Sequence, residues 1–517
     1  MVARHVGTPC VLLAALGLVG CTVGPDYRLP AAAVINSPAA QAPFIADSKT
    51  TEIANPPDIW WLLYDDPTLN ALIQRAFAAN TDLRIAQANL ESVDALLAEA
   101  KAGREASVTG NIATSYVQQS AESVLQHVQP PEREIYNAGI TVSYDADLFG
   151  GIKRGIEAAN DDSQAAIAAR DLVRVNVAAE TTRAYADICD SGNELAALRH
   201  TVDLQNQALA FVRLMYANGR ATDFDVEGAQ AQREDLQSQI PLLQAEQINA
   251  AYRLSTLMGE PPGEYNPAWL ACQQPLILST PIPVGDGKSL LKRRPDVREA
   301  ERRLAAATAR VGVATAELYP DVKLGGAVGS IGAAADLFSP LTNLFGLGPS
   351  VSWDLNQSVI RARIAQAKAQ TRARLAVFDA TVLTALREAQ TAISAYDFQQ
   401  SRMASLTDAR NFDAQVAANM AQLHRGGRVS ALAAINAEQK LAAADQTIAS
   451  AQADISQSQI ALFYALGGGW ETSDPGTVKA TTSTVSLSTR RPASNNTALS
   501  GSATQTQITQ QSPHTAP

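Results

Sequence analysis

A long stretch without glycine or proline, from residue 358 to residue 425, limits this chain more than any other feature. Apolar or small residues recur in it mostly three or four positions apart, which places them on one face of an α-helix. A helix of this length would reach about 100 Å, because each residue adds about 1.5 Å. Alanines on such a face let helices approach closely, as in a coiled coil. The stretch predicts very long helices packed side by side.

The first half of the chain repeats this pattern. Residues 142–145 read Val-Ser-Tyr-Asp and residues 351–354 read Val-Ser-Trp-Asp, and each segment leads into long helical runs. Residues 219–224 correspond to 427–432 at nearly the same offset, about 209 positions, as an internal repeat requires. Gly192 is expected to interrupt a helical run, and Pro241 to kink or break another. The predicted runs are 156–191, 193–218, 221–258, 358–425 and 429–466.

The composition argues against a large enzyme and against a nucleic-acid partner. Only 5% of the 517 residues are aromatic, whereas the cores of large enzymes usually carry more. The net charge of −10 disfavours nucleic acid. The five histidines are scattered, and no nucleophile–base pair or metal-ligand spacing is evident. We therefore expect no catalytic residue, no metal and no cofactor besides a covalent lipid.

The first 20 residues read as the signal peptide of a lipoprotein. Arg4 supplies the positive end, and the apolar stretch 11–19 is too short to cross a bilayer. Cys21 follows Leu-Val-Gly, so we predict that its thiol is lipidated, as in the bacterial lipobox. The alternative is an ordinary signal peptide that happens to contain a cysteine. Thr22, rather than aspartate, after the cysteine favours sorting to the outer membrane.

Two other cysteines lie far apart in the sequence. Cys189 sits in an apolar helical run, where a small buried hydrophobic residue is the favoured interpretation. A disulfide between Cys189 and Cys272 in an oxidising compartment is the less favoured alternative.

Four segments alternate between apolar and polar residues, as strands with two different faces do. They have about the length that a tilted membrane-spanning strand needs. A soluble sheet with one wet face is the alternative. No stretch after the signal is long and apolar enough for a transmembrane helix, so any membrane crossing is expected to use strands. The segments are 107–117, 138–147, 321–330 and 346–355.

Four strands cannot close a membrane barrel, because the smallest such barrels have about eight. An open edge in lipid leaves unpaired backbone groups that cost several kcal/mol each. If the segments span a membrane, several chains must share one barrel, and three chains would supply twelve strands and leave a lumen. Asp145, Lys323 and Asp354 are then the candidate lumen residues. Simple solvation of these charges is the alternative.

Several motifs carry a family resemblance. The most specific are Leu-Leu-Lys-Arg-Arg-Pro-Asp-Val-Arg at 290–298 and Ala-Thr-Ala-Glu-Leu-Tyr-Pro at 314–320. Four others are Cys-Thr-Val-Gly-Pro-Asp-Tyr at 21–27, Trp-Trp followed by Tyr-Asp-Asp-Pro at 60–67, Tyr-Asp-Ala-Asp-Leu-Phe-Gly at 144–150 and Leu-Met-Gly-Glu-Pro-Pro-Gly at 257–263. With these residues, positions 21–470 resemble the outer-membrane efflux protein (TolC-like) family, within it the NodT-type lipoprotein branch of RND efflux systems.

The resemblance implies an α+β membrane protein. Three identical chains would form a twelve-stranded β-barrel, four strands from each, continued by a long α-helical coiled-coil tunnel in the periplasm. The protein would be lipid-anchored in the cell outer membrane. It would passively conduct small molecules such as drugs and toxic compounds. Its partners would be a periplasmic adaptor (membrane fusion) protein, an inner-membrane RND pump and outer-membrane lipid. A type I protein-secretion exit duct and a structural coiled-coil envelope lipoprotein are alternatives.

The resemblance also divides the chain. The expected parts are a signal peptide (1–20), an anchored segment (21–62), a first repeat (63–260), an equatorial connection (261–294), a second repeat (295–466) and a polar tail (467–517). The tail is rich in Thr, Ser, Gln, Asn and Pro and should be disordered. Pro295 and Asp296 should begin a helix. Arg293 and Arg294, in the loop before it, should pair with acids between protomers or domains.

In this family the tunnel narrows where its paired helices turn at the periplasmic tip. The turns map here to 218–220 and 426–428, where glycine suits the required backbone geometry. Relatives commonly have an acidic residue past the second turn, but this chain has Asn436. Solvated helix faces are the alternative for each candidate acid. The candidate tip and gate residues are Gly219, Asp223, Asp225, Glu227, Gly427, Leu432, Asn436 and Glu438.

Overall fold

The computed structural model describes residues 22–45, 49–122 and 127–469. The predicted signal peptide and Cys21 lie outside the described residues, and so does the predicted tail from residue 470 onward. The first three residues assigned to that tail, 467–469, are buried against the rest of the chain. Their lack of side chains explains this, because a Cβ on Gly468 would lie 3.1 Å from the Trp60 ring.

The described residues form nine α-helices and six strands. The helices are α1 (Pro38–Gln41), α2 (Pro67–Ala79), α3 (Thr81–Ala102), α4 (Gly151–Ala217), α5 (Asp223–Leu257), α6 (Gly287–Arg293), α7 (Pro295–Ala316), α8 (Ser358–Arg425) and α9 (Ala431–Ala465). The strands are β1 (Thr51–Glu52), β2 (Ser107–Val117), β3 (Arg133–Asp145), β4 (Ile282–Pro283), β5 (Asp321–Gly332) and β6 (Asn343–Ser352). Short 3₁₀ helices lie at Val34–Asn36, Trp60–Tyr64, Pro262–Glu264, Pro267–Ala271 and Ala334–Asp336.

The order of elements confirms the internal repeat. Each half contains two shorter helices, an antiparallel strand pair, one very long helix and one helix of 35 residues. The very long helices, α4 and α8, have 67 and 68 residues. Each is therefore about 100 Å long at 1.5 Å per residue. The bounds of α8 coincide with the stretch that lacks glycine and proline.

The four longer strands form one antiparallel sheet in the order β2-β3-β5-β6, so the two halves of the repeat meet at the β3–β5 pair. The first predicted strand is confirmed at its bounds, and β5 extends two residues beyond the prediction. The predicted bounds of β3 and β6 were wrong. β3 ends at Asp145 rather than 147 because Asp147 accepts hydrogen bonds from Ile152 N and Lys153 N and begins the turn into α4. β6 runs from 343 to 352, rather than from 346 to 355. Beyond its end, the Trp353 indole donates to the Leu318 carbonyl oxygen at 3.0 Å.

The predicted helix breaks at Gly192 and Pro241 were wrong, because α4 and α5 continue through both residues. At Gly192 the missing side chain makes room for another segment, since a Cβ there would lie 2.1 Å from the Cys272 carbonyl oxygen. Pro241 cannot donate to the carbonyl of Gln237, but both residues are exposed, so water can satisfy that oxygen.

The main core surrounds the middle of α4. The Trp60 ring stacks on Phe463 of α9 at a centroid distance of 4.9 Å, and Trp61 packs edge-on against Phe77 of α2. Buried residues of α5, α8 and α9 complete this core, including Leu254, Ile393 and Ile460. The helix ends on the far side of this core, around residues 217–223 and 425–431, project beyond it, with mostly exposed side chains.

Glutamine side chains hold the connection between the two halves. Gln459 of α9 accepts a hydrogen bond from Leu278 N at 3.0 Å and donates to Leu278 O at 3.2 Å. Gln247 of α5 donates to Ile188 O and Leu270 O. These side chains pair backbone groups that the irregular connection does not pair itself, as buried backbone requires.

The less favoured interpretation of the cysteines proves correct. Cys189 of α4 and Cys272 of the connection form a disulfide, so the expectation of an unpaired buried hydrophobic residue at Cys189 was wrong. The reason lies in long-range packing, because Gly192 lets the Cys272 backbone approach α4 closely.

The two arginines before α7 lie at a helix junction. Arg293 is the last residue of α6, so its predicted loop position was wrong, and Arg294 is the cap between α6 and α7. Arg294 pairs with Asp296 at 2.7 Å and with Glu388 of α8 at 2.8 Å. Arg294 thus pairs with acids within its own chain, and pairing between protomers stays a prediction.

Candidate functional site

One face of the four-stranded sheet is apolar and exposed. Cross-strand register places Val142 opposite Val108, and Val328 opposite Phe345. Ile112, Phe345 and Leu347 are 87–90% exposed, which is unusual for such side chains in water. Of the exposed large apolar strand residues, only Ile331 and Leu344 lie on the other face. The members of this apolar face are Val108, Ile112, Tyr116, Ile140, Val142, Tyr144, Leu324, Val328, Phe345, Leu347 and Val351.

The opposite face is polar or small, and it carries two of the three candidate lumen residues. Asp145 of β3 lies directly opposite Lys323 of β5, with 3.9 Å between the Lys323 Nζ and a carboxylate oxygen. Lys323 is closer to Asp321, at 2.8 Å. Asp354 lies two residues beyond the end of β6 and is not part of this strand register. The structure thus brings Asp145 and Lys323 together and leaves Asp354 at the sheet's rim.

The first described residues after Cys21 bind where the strands give way to helices. Val23 N donates to Phe149 O, and Lys153 Nζ contacts Thr22 Oγ1 at 3.0 Å. Arg154, a buried residue of α4, donates to Val23 O and pairs with Asp26 at 2.7 Å. Sequence analysis missed Arg154, because its role depends on a segment about 130 positions earlier. Its contacts fix the chain beside Cys21 at this rim of the sheet.

Aromatic residues collect at the same rim. The rings of Phe149 and Tyr319 stack at 4.5 Å, Tyr144 lies one residue before the end of β3, and Trp353 lies one residue beyond the end of β6. Amphipathic aromatic side chains concentrate where a membrane meets water. The rim next to Thr22 therefore has the composition of a membrane boundary.

The two predicted tip turns have matching geometry. Gly219 lies between α4 and α5, Gly427 lies between α8 and α9, and each has φ of +68°. Nothing lies within 4 Å of a Cβ built on either glycine, so backbone conformation rather than space favours glycine there.

The candidate acids at the tip differ in what they contact. Asp225 forms a capping box with Thr222, whose backbone N–H donates to it at 2.8 Å and lowers the pKa of its carboxyl group. The Thr222-x-x-Asp225 spacing could have indicated this structural role. The Tyr216 hydroxyl group donates a hydrogen bond to the Asp223 carboxylate, and this bond raises the pKa of Tyr216.

On the second tip, Leu432 and Glu438 are half-buried and Asn436 is exposed. Among the residues that the structure covers, Asp223, Glu227 and Glu438 form no ion pair, so their charges are not neutralised by a partner in the chain. The tip acids therefore remain candidates, except that Asp225 is committed to capping α5.

None of the described helices is long and apolar enough to cross a membrane. Within the described residues, no cluster of three or more His, Cys, Asp or Glu side chains could hold a metal ion.

A further group of acids escaped the sequence analysis. Asp187, Asp190 and Glu194 recur at spacings of three and four on α4 and line a cavity of about 370 Å³. This periodicity was the available signal. The burial of Asp190 could not be predicted from the sequence, because residues of α5 and α9 pack over it.

Comparison with known proteins agrees with the geometry. The model of the outer membrane efflux protein family matches residues 72–260 and 287–468. The solvent efflux pump outer membrane protein SrpC of Pseudomonas putida is 28% identical over 473 residues, covering 89% of this chain and 98% of that protein. Nodulation protein T of Rhizobium leguminosarum bv. trifolii is 23% identical over 458 residues, covering 88% and 95%.

Solved structures give the same result. The outer-membrane channel OprN superposes with a TM-score of 0.78 and 32% identity, covering 87% of this chain and all of that one. The CmeC outer membrane channel of Campylobacter jejuni has a TM-score of 0.75 at 18% identity, covering 88% and 96%, and supports the fold alone. The family match spans well over half of the chain and both halves of its repeat. The chain therefore belongs to the outer membrane efflux protein family and is an efflux channel component of the outer membrane.

Proposed function

We propose that three copies of this chain form one passive duct. Their twelve strands would cross the outer membrane, and their long helices would continue as a periplasmic tunnel. The observation that carries the proposal is the one-sided sheet, with large apolar side chains exposed on one face and polar or small residues on the other. Such a face suits lipid on one side and water on the other.

The number of chains follows from the strands. β2 and β6 are the outer strands of the sheet, so each carries an edge that lipid would not tolerate. Two chains would give eight strands, whose interior is filled by side chains, whereas twelve strands leave a lumen. Small lumen-side residues, among them Gly325, Ala327 and Gly348, favour an open passage.

A charged side chain on each face gives a sharp test. Ile140 lies near the middle of β3, so Ile140→Arg on the apolar face would cost about 2–4 kcal/mol near the bilayer centre, whereas Thr141→Arg would face water. We expect the purified protein to be a trimer that conducts ions in planar bilayers. Ile140→Arg should sharply reduce the yield of channels. Thr141→Arg should retain the trimer and shift ion selectivity towards anions.

Three results would contradict the duct: a purified protein that never conducts, a stable monomer, or equal effects of the two arginines. A structural coiled-coil lipoprotein predicts the first of these. Ile140 and Thr141 are adjacent in β3 and both exposed in the single chain, so each variant controls for the other.

The transported compounds are proposed to be small molecules, such as drugs and other toxic compounds. Energy would come from an inner-membrane RND pump coupled through a periplasmic adaptor. The efflux names of the relatives support this over a type I secretion duct. Crosslinking in membranes followed by purification of the complex distinguishes the two, because only the efflux system contains an RND pump.

A lipid anchor at Cys21 is part of the proposal. Thr22 lies against α4 at the aromatic rim of the sheet, which is where an acyl chain on the preceding residue could enter the membrane. Cys21→Ser is expected to abolish metabolic labelling with radioactive palmitate, because the thiol is the acylated group. Cys272→Ser should leave the labelling intact. Persistent labelling of the Cys21 variant would exclude this site.

The narrowest part of the duct is proposed to lie at the turns of Gly219 and Gly427. Asp223, Glu227 and Glu438 would give it negative charge, with Leu432 and Asn436 beside them. Asp145, Lys323 and Asp354 are proposed to face the upper lumen.

A further inference from the structure

The cavity beside Asp190 lies in the middle of the helical region, far from the tip turns. Its lining residues belong to α4, α5 and α9. The acids on α4 face it, while Ile188 and Cys189 of the same turn are buried in the core with the connection. In the proposed trimer the connection would cover the outside of the helices. The cavity would then open towards the lumen.

Asp190 is buried without an adequate partner. Its side chain is only 4% exposed, yet neither carboxylate oxygen makes a hydrogen bond of ordinary geometry. Ser456 and Gln457 of α9 are polar neighbours of Asp190. Burial is the main cause that raises the pKa of Asp190 to about 8; the charges of Asp187 and Glu194 act in the same direction, and Ser456 and Gln457 act against it.

The surrounding charges leave the cavity negative. Arg253 pairs with Asp187, which also accepts a hydrogen bond from Gln457 at 2.6 Å. Burial raises the pKa of Glu194, and Glu246 adds to the shift. One arginine thus faces four carboxyl groups. The ionisable groups around Asp190 are Asp187 and Glu194 on α4, Glu246 and Arg253 on α5, Asp454 on α9, and Tyr64, whose pKa is also raised by burial.

These features favour an organic cation over a metal ion. The described acids do not form a metal-ligand cluster, and the cavity of about 370 Å³ is far larger than a bare ion needs. An ammonium or amidinium group would bring the N–H donors and the positive charge that Asp190 lacks. The methyl groups of Ala250 and Ala453 also line the cavity, and they would contact the apolar part of such a molecule.

We propose that this cavity binds the ammonium or amidinium group of a cationic compound in transit, with Asp190 as its ion-pair partner. The proposal rests on the proposed duct for its access from the lumen. Three such sites would lie at one level of the tunnel, so the duct would retain cations briefly between tip and barrel.

Equilibrium dialysis with p-aminobenzamidine tests this site on the purified protein in detergent. The matched neutral probe is p-aminobenzamide. Asp190→Asn keeps the side-chain shape but removes the charge, and it should weaken binding of the amidine about tenfold or more, as loss of a charge-assisted contact does. Asp408→Asn, which removes the charge of an exposed acid of α8 outside the cavity, should leave binding unchanged. Asp190→Ser is the second variant if the first folds poorly by its unfolding midpoint.

The pH dependence gives an independent readout. A proton and the cation compete for Asp190, so the affinity of the native protein should rise as pH approaches about 8 and level off above it. Asp190→Asn should lose this rise. Equal binding by this variant, equal affinity for the neutral amide, or no pH dependence would overturn the site. A trimer that conducts normally without amidine binding would refute only the site, whereas a non-conducting protein that still binds would refute only the duct.

Discussion

Replacing Arg294 with methionine is expected to lower the unfolding midpoint of the protein far more than the same change at Arg293. The Arg294 side chain is 9% exposed and joins three parts of the chain. It pairs with Asp296 of α7 and Glu388 of α8, and it donates to the Ala465 carbonyl oxygen at 3.0 Å. Removing the cation leaves two carboxylates and a carbonyl without their donor, which costs about 3 kcal/mol.

Arg293 is a matched control because it is the adjacent arginine and is also largely buried. It donates to Pro56 O at 2.7 Å, and the nearest Asp58 oxygen is 3.9 Å away. Its replacement by methionine should cost less, because it removes a donor to a carbonyl oxygen and not the shared cation of two close carboxylates.

A second substitution isolates the charge effect of Arg294. In the Arg294→Met background the Glu388 carboxylate has lost its cationic partner. Glu388→Gln removes this unpaired negative charge, so it should recover part of the lost stability. In the native background the same change breaks an ion pair and should be destabilising. Thermal unfolding in detergent, followed by circular dichroism, measures all of these variants. Equal unfolding midpoints for the two arginine variants would show that Arg294 is not needed to hold α7, α8 and α9 together.

Local periodicity was sufficient to predict α8. Residues 358–425 form one helix, because the stretch contains no glycine or proline and the 3-and-4 spacing gives it a packing face. Alternation located all four strands, and the observed register puts Val142 and Val351 on the apolar face. Strand ends were less predictable, since Asp147 ends β3 by capping the next helix.

Features that depend on distant segments were not predictable in the same way. The low helix propensity of glycine predicts a helix break at Gly192, whereas Gly192 lies within α4 and provides space for the Cys272 backbone. Asp190 carries no sequence mark of burial, because α5 and α9 bury it from positions more than 50 residues away. Arg154 similarly acts on the segment after Cys21. In each case the physical cause is a contact that exists only after the long helices have packed.

The disulfide between Cys189 and Cys272 is expected to make a large contribution to stability. It closes a loop with a sequence separation of 83 residues, which includes the distal part of α4 and all of α5. Closing a loop of this size reduces the entropy of the unfolded chain and is worth about 4 kcal/mol. Replacing both cysteines with alanine should therefore lower the unfolding midpoint substantially. The single variants should do the same, with one thiol left free.

Reduction provides the matched comparison. Dithiothreitol should lower the midpoint of the native protein to near that of the double-alanine variant, and it should leave that variant unchanged. Alkylation followed by mass spectrometry should find neither cysteine free in protein purified from outer membranes, because the helices fold in the oxidising periplasm. Alkylation of both Cys189 and Cys272 in the native protein would show that the disulfide does not form. A second outcome is that the disulfide is present but its reduction leaves the unfolding midpoint unchanged. This would show that the packing of Gly192 and the contacts of Gln459 and Gln247 hold the connection in place without the disulfide.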